Sequence, residues 1–254
     1  EDAVRRGANV IFTTTPKLLL SSVRQAALHP DVKILNCSLN TSYPSVRTYY
    51  PRLYGAKFIK GAIAGTLTRD GCIGYVADYP TYGSIASINA FAQGARMVNA
   101  NARIYLDWAH LRDGGAVGRL QAQGIVYIDY LDRLAASTGT QMGNRHNLAL
   151  IQTHWGRLYQ SLVRRVMEGS WKQEDQGSSA VNYWWGMEQG VVSVLCSRRL
   201  PTGPRRLAGV LREALKADRL DPFYGVLMDQ QGRVIYGDDA PLPADQILSM
   251  NWLS

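Results

Sequence analysis

GYVADYP, residues 74–80, is an apolar run that stops on an acid, an aromatic ring and a proline. Its length and its aromatic and β-branched content read as a buried strand, and Pro80 helps to end it before the helical stretch 84–97. The same alternation extends in both directions. Upstream, NVIFTTT (9–15) precedes an amphipathic segment from Lys17 to Leu28 and the strand VKILNCSL (32–39). A long segment from Tyr49 to Leu67 is read as helical, with Gly55, Gly61, Ala62 and Gly65 permitting close helix packing. Downstream lie the strands RIYLDW (103–108), GIVYI (124–128), LALIQTHW (148–155) and GVVSVLCS (190–197). Helices are expected over 155–168, where Leu158, Leu162 and Val166 recur at i+4 before Gly169, and over 205–217. GVLMDQQGRVIYG (225–237) reads as a hairpin closed at Gly232, and a short helix or turn is expected from Ala244. Strands separated by helical patterns predict an α/β fold built from βαβ units with parallel, doubly covered sheet. Right-handed crossovers then align the strand C-terminal ends along one edge, where such folds bind ligands.

At 254 residues the chain can bury one large core or two lobes. No uncharged apolar run approaches the length of a membrane span. The net charge of +8 raises a nucleic-acid reading, but the pairs Arg164-Arg165, Arg198-Arg199 and Arg205-Arg206 are scattered and form no stripe with aromatic residues. Nucleic acid is therefore not an expected partner. Cys37, Cys72 and Cys196 are far apart, mostly in apolar contexts, and read as buried free thiols, which favours a reducing compartment. His29, His110, His146 and His154 show no ligand spacing, so neither a metal nor a cofactor is expected. The opening EDAVRRGANV has no apolar leader and no lipobox-like cysteine, and it reaches the first strand within about one helical turn. The chain is thus expected to be the back portion of a longer polypeptide. Residues 132–147 are polar and turn-rich, the best candidate for a linker or mobile loop.

The chemistry-bearing residues cluster at predicted strand ends. There is no G-x-S-x-G elbow, P-loop or G-x-G-x-x-G. Thr13, Thr14 and Thr15 end a strand before Pro16, where hydroxyls can cap a helical turn or meet a ligand. Asp78, Asp107 and Asp129 close three strands and would face one crevice if those strands are parallel neighbours. A hydrolase could divide acid and base roles between two of them; otherwise each acid caps a helix or ends a strand. Asp78 therefore reads as catalytic acid, ligand clamp or cap. Tyr79 and Tyr82 surround it with stacking surface. Trp108, Trp155, Trp184 and Trp185 also sit at strand ends or helix starts, where rings can stack a planar ligand or simply pack the core.

Taken together, several blocks resemble the basic membrane protein family, also called the PnrA-like purine-nucleoside-binding proteins. They are GANVIFTTTPKLLLSSVRQAALHPDVKILNCS, RTYYPRLYGAKFIKGAIAGTLT, IGYVADYP, INAFAQGARMVNANARIYLDW, THWGRLYQSLVRRVMEGSW, NYWWGMEQGVVSV and ILSMNWL, in family order over nearly the whole chain. The resemblance implies a two-lobed type I periplasmic-binding-protein fold, with a small molecule held between the lobes and no enzymatic activity. Approximate lobes would be 1–45 plus part of 148–254, and 46–147 plus part of 170–254. It implies a solute-binding or sensing domain for a purine nucleoside, nucleobase or similar compound. An ABC permease or an upstream fused domain would be its protein partner. Family members are extracytoplasmic lipoproteins, whereas the missing leader and free cysteines point to the cytoplasm. Carried over by position, Asp78, Thr13, Thr14 and Trp155 are the implied ligand contacts, with His154 near them; Tyr79, Tyr82, Trp108 and Trp184 join them as the strand-end rings read above. The family's opening strand and its later Gly-x-Asp-x-Asp-like motif have no counterpart here, so the first lobe is expected to be incomplete and the domain a reduced variant. The competing expectations are a ligand-free regulatory module and a nucleoside hydrolase using Asp78 with Asp107 or Asp129.

Overall fold

A computed structural model describes residues 1–39, 43, 45–79, 83–110, 115–130, 147–169 and 181–254. In chain order the first elements are α1 (Asp2–Arg5), β1 (Val10–Thr13), a 3-10 turn (Pro16–Leu18), α2 (Leu19–Leu28), β2 (Lys33–Cys37), β3 (Val46–Pro51), α3 (Tyr54–Leu67) and β4 (Cys72–Ala77). They are followed by α4 (Ser84–Val98), β5 (Arg103–Trp108), α5 (Ala116–Ala122), β6 (Tyr127–Asp129), β7 (Ala149–Thr153) and α6 (Trp155–Met167). The chain closes with β8 (Tyr183–Trp185), β9 (Val192–Cys196), α7 (Thr202–Lys216), β10 (Leu227–Met228), β11 (Val234–Tyr236) and α8 (Ala244–Leu248). Two compact units result, Glu1–Arg52 with His154–Gly186, and Leu53–Thr153 with Met187–Ser254. The candidate linker at 132–147 lies outside the described residues except for Asn147.

The first unit holds a parallel sheet of order β1-β2-β3-β8. Parallel registration fixes which side chains share a face. Ile11, Ile34 and Val46 form one row and pack with Leu19, Val23 and Ala26 of α2. Phe12 and Tyr49, of the opposite parity, meet Tyr159 of α6, with ring centroids 4.9 and 5.8 Å away. The expected helix from Tyr49 is corrected here: Tyr49, Tyr50 and Pro51 are strand, registered against Tyr183, Trp184 and Trp185. The residue before a proline disfavours the helical region, so Tyr50 stays extended. Arg52 N–H then donates to Trp185 O at 2.7 Å, and the helix begins only at Tyr54.

In the second unit β5-β4-β6 are parallel neighbours, whereas β7 and β9 pair antiparallel and β10-β11 form the expected hairpin. Gly232 adopts φ 76° in the hairpin turn, and its N–H donates to Asp229 O at 3.0 Å. Ile73, Tyr75 and Ala77 of β4 pack with Ile88, Phe91 and Ala95 of α4, while Val76 faces Ala116 and Leu120 of α5. The α3–α4 pair sets how closely this layer can sit. A Cβ on Gly61 would lie 1.9 Å from the Phe91 carbonyl oxygen, and one on Gly94 would lie 2.0 Å from that of Phe58. Backbone thus touches backbone where a methyl group cannot enter. The C-terminal segment is pinned to the same helix. Buried Asn89 donates to Trp252 O at 2.8 Å and accepts from Ser254 N–H at 3.0 Å, satisfying both ends of its amide.

Register also separates the acids at the strand ends. Asp129 is registered with Tyr75 and therefore points to the α3 side, where it is buried between Lys57 (2.7 Å) and Lys60. Asp107 is registered with Val76 and points to the α5 side, where both carboxylate oxygens take Arg119, at 2.7 and 3.0 Å. Two consequences are measurable. Gly61→Ala should lower unfolding free energy by about 1–3 kcal/mol through forced separation of α3 and α4; an unchanged urea midpoint would contradict that packing. Asp129→Ala leaves two lysines buried together without their carboxylate and should cost about 3–5 kcal/mol in the same assay.

Candidate functional site

The C-terminal ends of β4 and β5 are held together one residue beyond the paired strands. Ala109 N–H donates to Ala77 O at 2.8 Å, and the Ala109 side chain is buried in the cluster with Val76, Ala116 and Leu120. The next residues of the two strands, Asp78 and His110, consequently lie side by side. His110 Nδ1 contacts Asp78 Oδ1 directly, and both side chains stay accessible, at 36% and 48% exposure. Tyr79 stacks on the imidazole with centroids 4.7 Å apart and planes inclined by 20°. A carboxylate, an imidazole and a phenol ring thus form one exposed group at the sheet edge.

This placement narrows the readings of Asp78. It is not a helix cap, because α4 begins at Ser84 and its N-cap position is Gly83, at φ 77°. The Gly83 N–H instead donates to Leu248 O at 3.1 Å, joining the start of α4 to α8. Nor does Asp78 form a carboxylate pair. The expectation of three acids facing one crevice fails although β4, β5 and β6 are parallel neighbours, since Asp107 and Asp129 are bound to cations on opposite faces. Trp108 packs against the cluster of Ile73, Tyr75 and Ala77, so its ring is largely spent on the core. Tyr82 lies outside the described residues.

The remaining candidates belong to the first unit. The Thr13 hydroxyl donates to Leu35 O (3.3 Å) and accepts from Asn36 Nδ2 (2.7 Å), so it ties β1 to β2. Thr14 is exposed, and Thr15 caps the 3-10 turn by accepting from Lys17 N–H at 3.3 Å. Asn36 is fully buried; its Nδ2 also donates to Thr15 O, while its Oδ1 has no partner among the described residues. Trp155, on the first turn of α6, stacks on Tyr159 at 5.9 Å. Trp184 is registered with Tyr50 and carries Arg52 over its ring at 6.0 Å. Trp184 and Trp155 therefore lie on opposite faces of the β1-β2-β3-β8 sheet, since α6 covers the Phe12 and Tyr49 side.

His110 is the candidate site residue that sequence reasoning passed over. Judged against the other histidines it shows no spacing of interest; its partner is 32 positions away and is reached only through the β4–β5 register. Among the described residues no group of three histidine, cysteine or acidic side chains could hold a metal ion. Burial pushes the Cys37 thiol up to about 11, so it stays protonated and unreactive at neutral pH.

No family model matches the chain. A purine-binding protein of Brucella abortus is 26% identical over 249 residues, covering 90% of this chain and 69% of that protein. A putative ABC transporter glucose-binding protein of Haloferax volcanii is 26% identical over 212 residues, and the chain spans 52% of its length. Among solved structures, a transcriptional activator of the comK gene from Bacillus halodurans superposes with TM-score 0.65 at 18% identity, covering 87% of this chain and 83% of that one. An ABC transporter solute-binding protein from Conexibacter woesei gives 0.60 at 14% identity over 87% and 81% of the two chains. One from Aeropyrum pernix gives 0.57 at 11% over 97% and 81%. The chain shares the periplasmic-binding-protein-like α/β fold with these structures, and the two sequence relatives are both named as binding proteins. The chain is thus similar in sequence to a purine-binding protein and in fold to ABC transporter solute-binding proteins.

Proposed function

We propose that the chain is a solute-binding domain for a purine nucleoside, nucleobase or closely similar compound, and that Asp78 is its principal polar contact. The observation that carries this reading is the exposed Asp78–His110–Tyr79 group at the C-terminal ends of two parallel strands. It stands in a chain that aligns over 90% of its length with a purine-binding protein. A purine nucleoside offers what that group can use: a flat face for Tyr79 and N–H or ribose O–H donors for the carboxylate and the imidazole. Of the other expected contacts, Trp155 and Trp184 lie on opposite faces of one sheet and do not meet a single ligand together. Thr13 and Trp108 act chiefly as supports, because the hydroxyl of one and the ring of the other are already engaged. An ABC permease is the protein partner that the relatives suggest.

Titration calorimetry with inosine, adenosine, hypoxanthine, adenine and glucose tests the reading. A purine should bind and raise thermal stability, by about 2.7 kcal/mol at a hundredfold excess over its dissociation constant. Asp78→Ala should weaken that binding by about tenfold to a hundredfold, the loss of a hydrogen bond to a charged group. Its own melting temperature should stay close to wild type, because the helix that follows, α4, has Gly83 and not Asp78 at its N-cap. Heat with glucose alone would replace the purine reading by a sugar-binding one. Silence with every compound would favour a ligand-free regulatory module.

A further inference from the structure

We propose that His110 selects among purines, favouring those that present a ring N–H donor over those that present a ring nitrogen acceptor; this rests on the purine-binding reading above. Three observations lead there. The Ala109–Ala77 hydrogen bond fixes the backbone on which His110 stands, so the imidazole is anchored though it is exposed. Tyr79 stacks on the ring and fixes its plane. Asp78 faces Nδ1, and a carboxylate can only accept, so the proton between them sits on Nδ1. The second nitrogen, Nε2, is then the one open to a ligand on a side chain that stays 36% exposed; Asp78 and Tyr79 are the partners of His110 among the described residues.

In its neutral form, which a pH above the imidazole range populates, a ring held with the proton on Nδ1 offers a lone pair at Nε2 and no donor. A 6-oxopurine such as inosine carries a proton on N1 and can satisfy it. Adenosine carries a lone pair on N1, so two acceptors would face each other and both would lose their water. Discrimination of this kind exceeds what shape alone supplies, because the wrong ligand leaves a polar pair unmatched. Asp78 is thereby a positioning residue for selectivity as well as a ligand contact: it holds the tautomer on which the choice depends.

Dissociation constants for inosine and adenosine, measured by calorimetry on the wild type, His110→Phe and Asp78→Asn, test this. The wild type should prefer inosine by about tenfold or more. His110→Phe keeps a ring on Tyr79 but has no nitrogen, so it should still bind while the inosine-to-adenosine ratio collapses toward one. Asp78→Asn can donate to Nδ1 and release the other tautomer, so it should shrink the ratio in the same direction. A melting curve for each variant separates these effects from unfolding, since a merely structural role would move the melt and leave the ratio unchanged. The inference is overturned if the wild type binds both nucleosides equally, or if His110→Phe retains the wild-type ratio. It also falls if the wild type binds neither nucleoside, but then the purine-binding reading itself has failed, whereas an unchanged ratio leaves that reading standing.

Discussion

Parallel registration of β5 and β6 against β4 is the constraint on which the second unit depends. Side chains registered across parallel strands share a face, so each acid's destination follows from its position in the ladder. Asp129 goes inward to Lys57 and Lys60, and Asp107 goes to Arg119 on the other face. Asp78, one residue past the last paired position, is left at the edge with His110. The same ladder thus neutralises two carboxylates inside the unit and delivers the third to solvent beside an imidazole. That division of labour leaves one exposed polar group, Asp78 with His110, at the strand ends. A hydrolytic pair would need two of these carboxylates on one side.

The helical layer makes this edge possible. Contact between the backbones of α3 and α4 at Gly61 and Gly94 brings the helices close enough for Phe91 and Ile88 to fill the space beneath Tyr75 and Ala77. Asn89 holds the C-terminal segment, and Leu248 of α8 accepts from Gly83 at the start of α4. The segment that follows Asp78 is therefore tied at its far end to a packed helix. Rigid support under an exposed polar group lowers the ordering cost of binding.

Much of this organisation is legible in the sequence, and the misses have physical causes. Periodicity located α4, α6 and α7, and the hairpin was visible because Gly232 sits between two apolar runs. The glycines of α3 announced close packing, but the strand before it stayed hidden, because two tyrosines beside a helical pattern carry no period of their own. β8 is three residues long, too short for alternation to register. That β7 and β9 run antiparallel follows from connections that local pattern does not encode. Asp78 was recognisable from its block, whereas its relation to Asp107 and Asp129 required the register. His110 required the register as well: an acid one position past β4 and a histidine two positions past β5 become neighbours only once those strands are aligned.

The central claim is that the Asp78–His110–Tyr79 group reads a ligand, and the imidazole nitrogens report on it directly. Long-range proton–nitrogen NMR of the histidine ring distinguishes the two nitrogens and follows each during titration with inosine. The account predicts an Nδ1-protonated His110 in the free protein whose Nε2 resonance shifts as inosine saturates. A His110 ring whose resonances stay unchanged at saturating ligand would contradict it.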